Sequence, residues 1–411
     1  MQKNNEVIYQ IFPRNYSKEG KFLNIINDLP RIKALGVDII YLMPINSIGT
    51  LNRKGACGSP YASQDYFSIS QDLGTLEDFN NLCQSIHHLG MKIILDMVFN
   101  HTAPDNVLIK EHPEFYFYKN NKRGNRIGNW SDIVDLDVDK EVTQTYLVSV
   151  LQYWIKQGVD GFRFDVASMI PLSFFKKARA ALGPEIIFLG ESIDPSFYHW
   201  LISQNYYASK DEDLVPTFDS LYNYHWFREF QGYLKYGDPL NRTIHTLNQS
   251  SSILRVNCLE NHDNDRVASL VNGNRTKLKN LLAFSFFLSG IPFLYAGEEY
   301  AIEHKPELFE KDPIDWSKKD EEINEFVKHL IHLKHLDPSD HVQPCYLTQI
   351  GDNAIKIAKG NKIGFFNFGN APLTIKLADK KYHDLLSNSD IINNIIDLVN
   401  PLILEDLKYE N

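Results

Sequence analysis

The chain has 411 residues, 43% hydrophobic and 23% charged, an ordinary globular composition long enough for one large domain with smaller ones attached. Its net charge of −10 argues against a nucleic-acid-binding surface. Four scattered cysteines, Cys57, Cys83, Cys258 and Cys345, form no metal or disulfide pattern, and no apolar run or leader points to a membrane or to export, so a cytoplasmic protein is expected.

In chain order, apolar runs predict strands at 7–12, 38–44 (closed by Pro44) and 92–98. Amphipathic helices are expected between them, one over 24–35 ending at Gly36 and one capped by Thr75 and ending before Gly90. From 100 to 137 the sequence is polar and aromatic with no clear period. A helix over 140–157 then leads into the run Gly158-Val-Asp-Gly-Phe-Arg-Phe-Asp-Val166. Further strands are expected at 186–191, 215–218, 253–259 and 291–296, with helices over 172–182, 197–203, 222–236, 244–249, 275–288 and 323–336. Beyond Pro344 short alternating runs, 354–358, 363–368 and 373–377, are broken by Gly-Asn turns.

Eight strands alternating with helices fit a closed (β/α)8 TIM barrel better than an open sheet. The long interval between the third and fourth strands implies an inserted subdomain. The expected organisation is a catalytic barrel over 1–99 and 138–343, an insertion over 100–137 and a small C-terminal antiparallel β domain over 344–411.

Chemistry in such barrels sits at the C-terminal ends of the strands. Asp96, Asp165, Glu191 and Asp263 fall there, with His101 and His262 on the same rim. Arg163 and Asp165 are two apart on one strand and so share a face. A buried structural ion pair is one reading of that pair; a carboxylate held ionised for nucleophilic attack is the other. Several acids around one mouth, with histidines and aromatics nearby, suit glycosidic bond chemistry, which needs one ionised and one protonated carboxyl group.

The segments Asp96-Met-Val-Phe-Asn-His101, Gly161-Phe-Arg-Phe-Asp165, Gly190-Glu191 and Glu260-Asn-His-Asp263 resemble, in order, the four sequence regions of the α-amylase family of glycoside hydrolases. The resemblance runs from Ile8 to Gly297, essentially the whole barrel. It implies that Asp165 is the nucleophile, Glu191 the general acid/base and Asp263 the transition-state stabiliser. It further implies that Tyr61, His101, Arg163 and His262 contact the sugar and that Asp96 orients the arginine. Arg163 is expected to depress the pKa of Asp165.

Two departures stand out. Ser168-Met169 replaces the Lys-His pair that often follows the family's nucleophile, where the histidine carbonyl binds calcium; Asn100 matches another calcium position. The expectation is therefore an enzyme that requires no cofactor, calcium included. Gly58 stands where the oligosaccharide-cleaving branch tends to carry an aspartate, which leans against strict exo-glucosidase action. The expected function is retaining hydrolysis of α-glucosidic, mainly α-1,4, bonds in maltodextrins and other α-glucans. A 4-α-glucanotransferase on the same fold and a catalytically inactive binding protein are the alternatives. The expected partner is an oligosaccharide, with neither nucleic acid nor membrane.

Overall fold

The computed structural model describes residues 6–128, 130–249 and 254–407. Eight parallel strands form a closed barrel in which each lies beside its neighbours in chain order. They are β1 (Ile8–Ile11), β2 (Ile39–Leu42), β3 (Lys92–Met97), β4 (Gly161–Phe164), β5 (Ile187–Gly190), β6 (Ser220–Tyr222), β7 (Arg255–Asn257) and β8 (Ile291–Tyr295). The barrel and its strand–helix alternation agree with the sequence reading. Ile253, the predicted start of the seventh strand, lies outside the described residues.

One prediction is corrected. The run 215–218 is not a strand: a short helix, Asp211–Leu214, precedes it and β6 starts only at Ser220. Pro216 lacks the N–H a ladder needs, and the Thr217 and Phe218 N–H groups both turn back to the Leu214 carbonyl.

Local chemistry explains the element boundaries. The helix Leu76–His88 opens with a reciprocal cap: the Thr75 hydroxyl accepts from the Asp78 N–H at 3.2 Å, and Asp78 accepts from the Thr75 N–H at 2.8 Å. Phe22–Leu35 stops at Gly36, whose φ of 103° only glycine adopts without strain. Gly161 opens β4 because strands β4 and β5 approach too closely for a side chain; a Cβ there would sit 2.5 Å from the Ile187 carbonyl oxygen. Asp160 fastens the other side of β4, accepting from the Ile93 N–H of β3 at 2.8 Å.

The chain divides into two compact units. The first comprises Ile8–Tyr222 with Lys305–Asp315, the second Asn223–His304 with Trp316–Asn411. In the first, the segment between β3 and the helix Glu141–Lys156 folds as small antiparallel pairs: His101–Thr102 with Val134–Asp135, and Tyr118–Lys119 with Lys122–Arg123. In the second, a six-stranded antiparallel sheet follows the order Tyr346–Gln349, Ala354–Lys359, Lys362–Asn367, Leu402–Asp406, Tyr382–Asp384, Ser389–Asp390. A core that includes Phe365, Tyr382, Leu398 and Leu404 lies against it.

The helix Glu141–Lys156 aims β4 at its place in the barrel. Its Leu147, Leu151 and Trp154 are fully buried. The Trp154 indole N–H donates to the Tyr66 carbonyl at 3.0 Å, and its ring meets Phe79 edge-on at 5.4 Å. Trp154→Ala removes both the packing and the buried donor's hydrogen bond, and should lower stability by about 3–5 kcal/mol in denaturant unfolding; a loss below 1 kcal/mol would contradict this packing.

Candidate active site

Strand register builds the site. Arg163 of β4 is the direct cross-strand partner of Asp96 of β3, so both side chains leave the same face of the sheet. Asp165 and Glu191 follow the last residues of β4 and β5, Phe164 and Gly190, which are themselves cross-strand partners. The result is one guanidinium among three carboxyl groups. Nη1 of Arg163 donates to Asp96 Oδ1 at 2.7 Å and to Asp165 Oδ1 at 2.9 Å, while Nη2 lies 2.8 Å from Glu191 Oε1. The Arg163 side chain is only 1% exposed. The rings of Tyr61 and Tyr222 stand 5.9 and 5.7 Å from its carbon, within cation–π range.

Asp96 is held from behind. Its Oδ2 accepts from the Tyr41 hydroxyl at 2.6 Å and from the Tyr61 hydroxyl at 2.9 Å. Both its oxygens are thereby committed, which suits an acid that orients Arg163. Glu191 Oε2 accepts from the Val166 N–H at 2.8 Å. Val166 reaches that position with φ 39° and ψ 46°, a left-handed conformation that a β-branched residue adopts only under strain, about 1–3 kcal/mol. The strained turn directly after Asp165 is what aims a backbone donor at Glu191.

The charge balance corrects one expectation. Asp165 is raised well above the ordinary carboxylate range, first by burial, with the charges of Glu191 and Asp96 adding to it; Arg163 pulls the other way and is outweighed. One cation facing three carboxyl groups cannot keep them all ionised at no cost, and the last proton is held tightly.

His101 begins the short strand after β3 and packs 5.8 Å from the Trp130 ring. Burial lowers its pKa to about 4, against the opposing pull of Asp132 and the Tyr61 backbone, so it is neutral at physiological pH. The Asn100 side-chain nitrogen lies 3.1 Å from its Nδ1 and donates to it, which leaves the ring proton on Nε2. In the second unit, His262 and Asp263 follow β7 as a pair, Nε2 to Oδ2 3.0 Å, with His262 buried and the Asp263 side chain 50% exposed. The Asn261 side-chain oxygen accepts from the Asp263 N–H at 3.0 Å and fixes that turn. Glu260, in the same motif, is buried against Arg266 at 2.5 Å.

The first unit thus gathers Tyr61, Asp96, Arg163, Asp165 and Glu191 into one bonded cluster, with His101 on the adjoining strand. Sequence reading missed Tyr41, Tyr222 and the Val166 N–H. Tyr41 had a signal: it is the hydroxyl-bearing residue of the otherwise aliphatic strand β2, and a buried hydroxyl needs a partner. Among the described residues no group of three or more His, Cys, Asp or Glu side chains is placed to hold a metal ion.

The catalytic-domain model of the α-amylase family matches residues 10–132 and 127–345. The fold is similar to that of an α-amylase from Lactobacillus plantarum, with a TM-score of 0.92 and 34% identity over 99% of this chain and 100% of that one. A noncanonic maltogenic α-amylase from Thermotoga neapolitana is similar at a TM-score of 0.86 and 28% identity, each chain covered completely (100% and 100%). An intracellular maltogenic amylase from Bacillus subtilis is 27% identical over 334 residues, which take in 77% of this chain and 55% of that protein. The chain spans about half the length of that curated relative.

The proton balance sets a stability test. A carboxyl group whose folded pKa is raised stabilises the fold at low pH, and that contribution is lost as pH rises through the folded value. At neutral pH an ionised Asp165 is therefore a cost, and Asp165→Asn leaves Arg163 still paired with Asp96 and Glu191. The variant should melt at or above the wild-type temperature at pH 7, with the gain shrinking as pH falls toward the ordinary aspartate value of about 3.9. A melting point lowered by many degrees would make Asp165 a structural counter-ion.

Proposed function

The chain belongs to the α-amylase family of glycoside hydrolases, and we propose that it hydrolyses α-glucosidic bonds, mainly α-1,4, in maltodextrins through a covalent glycosyl-enzyme. The observation that carries this is the shared guanidinium: Asp165 and Glu191 both bond to Arg163, one to each terminal nitrogen. Carboxyl groups gathered on one guanidinium suit the close spacing, about 5–5.5 Å, at which one attacks the anomeric carbon directly; the inverting route needs room for a water between them.

In the first step Asp165 attacks the anomeric carbon as Glu191 gives its proton to the departing glycosidic oxygen. In the second, Glu191 takes a proton from water, and the resulting hydroxide displaces Asp165. The reactive form has Glu191 protonated and Asp165 ionised. Arg163 holds the Asp165 carboxylate in place through Oδ1 and offsets the charge that returns to it when the glycosyl bond breaks. Asp263 stabilises the positive charge of the transition state. Tyr61 stacks on the reacting sugar, with His262 and the neutral His101 bonding its hydroxyls.

Action on α-glucans inside the cell is supported by the relatives' names, an intracellular maltogenic amylase and a cyclomaltodextrinase among them. We also propose that activity does not require calcium. Two features support this: Ser168-Met169 stands in place of the Lys-His pair, and the Asn100 side-chain nitrogen is engaged by His101.

Maltoheptaose digests separated by chromatography test the function. Shorter products alone are expected, and added glucose should not shift them to longer ones. Longer products would mark a glucanotransferase, and an unchanged substrate would refute both. Dialysis against a chelator should leave the rate as it was; a large loss restored by calcium alone would contradict the metal-free reading.

A further inference from the structure

We propose that Arg126 is a positioning residue for the active site: an internal cation that locks the inserted segment onto the end of β3 and so fixes His101. The inference rests on the reading of His101 as a sugar-contacting group. Its basis is a closed circuit of bonds. His101 and Asp135 are direct partners in the short ladder of His101–Thr102 with Val134–Asp135. The Asp135 side chain is completely buried (0% exposed) and is paired with Arg126.

Asp135 Oδ2 accepts from the Arg126 backbone N–H at 2.8 Å and from its Nη1 at 3.1 Å. Nη1 also donates to the Leu136 carbonyl at 3.2 Å. The guanidinium lies over the Phe117 ring, 4.4 Å from its centre, and the Phe117 N–H donates to the Asp135 carbonyl at 2.9 Å. From the same stretch the Leu136 N–H donates to the Asn100 carbonyl at 2.9 Å, and the Asn100 side chain is the donor to His101 Nδ1.

Arg126 thus holds Asp135 and Leu136, and these hold Asn100 and His101. Among the described residues the other Asp135 oxygen, Oδ1, is buried without a hydrogen-bond partner, so Arg126 supplies the cationic contact that offsets this carboxylate. Burial pushes Asp135 up to about 6 even with Arg126 beside it. An uncompensated charge at that depth is costly, and without the guanidinium the ladder that carries His101 loses what holds it shut. Arg suits the place better than Lys: its Nη1 offers one N–H to the carboxylate and one to the carbonyl while the planar group stacks on a ring.

The test uses Arg126→Ala, Arg126→Lys and Asp135→Asn in the full chain, assayed well below their melting temperatures. Arg126→Ala should lower kcat on maltoheptaose by about tenfold to a hundredfold with KM little changed, as expected for a misplaced group that acts in the transition state. Arg126→Lys should recover part of the loss, and Asp135→Asn should fall in the same direction. A second readout does not depend on turnover: with 13C-labelled histidine, the His101 signal, assigned by its absence in His101→Gln, should move in Arg126→Ala. A lower melting point with unchanged kcat and an unmoved His101 signal would reduce Arg126 to a structural contact and overturn the proposal. A moved signal in a protein whose wild type leaves every maltodextrin intact would uphold the positioning role and refute the proposed function instead.

Discussion

One buried guanidinium sets the terms for everything at the end of β4. Arg163 is almost wholly withdrawn from water, a position no unpaired cation sustains, and three carboxyl groups answer it. The same arrangement looks different from the side of the acids. Asp96, Asp165 and Glu191 crowd together only because Arg163 lies among them, and they outnumber it. Burial, with that excess negative charge, raises the pKa of Asp165, and a retaining glycosidase needs one protonated and one free carboxyl group in the same small space. Arg163 thereby joins the fold to the chemistry: register places it, burial strengthens it, and its neighbours divide a proton around it.

The rest of the site shows how the fold holds that cluster in tension. Tyr41 and Tyr61 tie up both hydrogen-bonding directions of Asp96 Oδ2, so Asp96 stays with the arginine. Val166, in its left-handed conformation, carries backbone strain that the fully buried Phe164 and Ala167 on either side hold in place. The raised pKa of Asp165 and the strain at Val166 are both unfavourable to stability at neutral pH, and they fall on adjacent residues. Such concentration of cost is characteristic of a functional site in an otherwise consistent fold.

The barrel was legible because buried parallel strands are apolar runs with sharp ends. Pro44 ends one, Gly158 and Gly161 bracket the approach to another, and Thr75 with Asp78 announces a helix start. The sixth strand was not legible. Ser220–Tyr222 is only three residues long, whereas 215–218 has the stronger β composition but carries Pro216. At the site, spacing along the chain revealed Arg163 beside Asp165 but not the neighbours brought in from other strands. Asp96 and Glu191 arrive through register, and burial, with their charges added, reverses the expected direction of the Asp165 shift. Tyr41 and the Val166 N–H were missed for the same reason: a partner across a sheet, or a backbone donor aimed by strain, leaves no mark in local sequence. The segment from 100 to 137 is built of two-residue strand pairs and single turns, too short for a period to announce its structure.

In the proposed reaction Asp165, held by Arg163, forms the covalent bond to sugar. This is tested most directly by trapping that bond with 5-fluoro-α-glucosyl fluoride, whose electron-poor sugar slows the second step more than the first. Digestion and mass spectrometry should then find the glycosyl group on the peptide that contains Gly161-Phe-Arg-Phe-Asp165, on Asp165 itself. A glycosyl group on Glu191, or substrate turnover that yields product of inverted anomeric configuration with no labelled enzyme, would contradict the account.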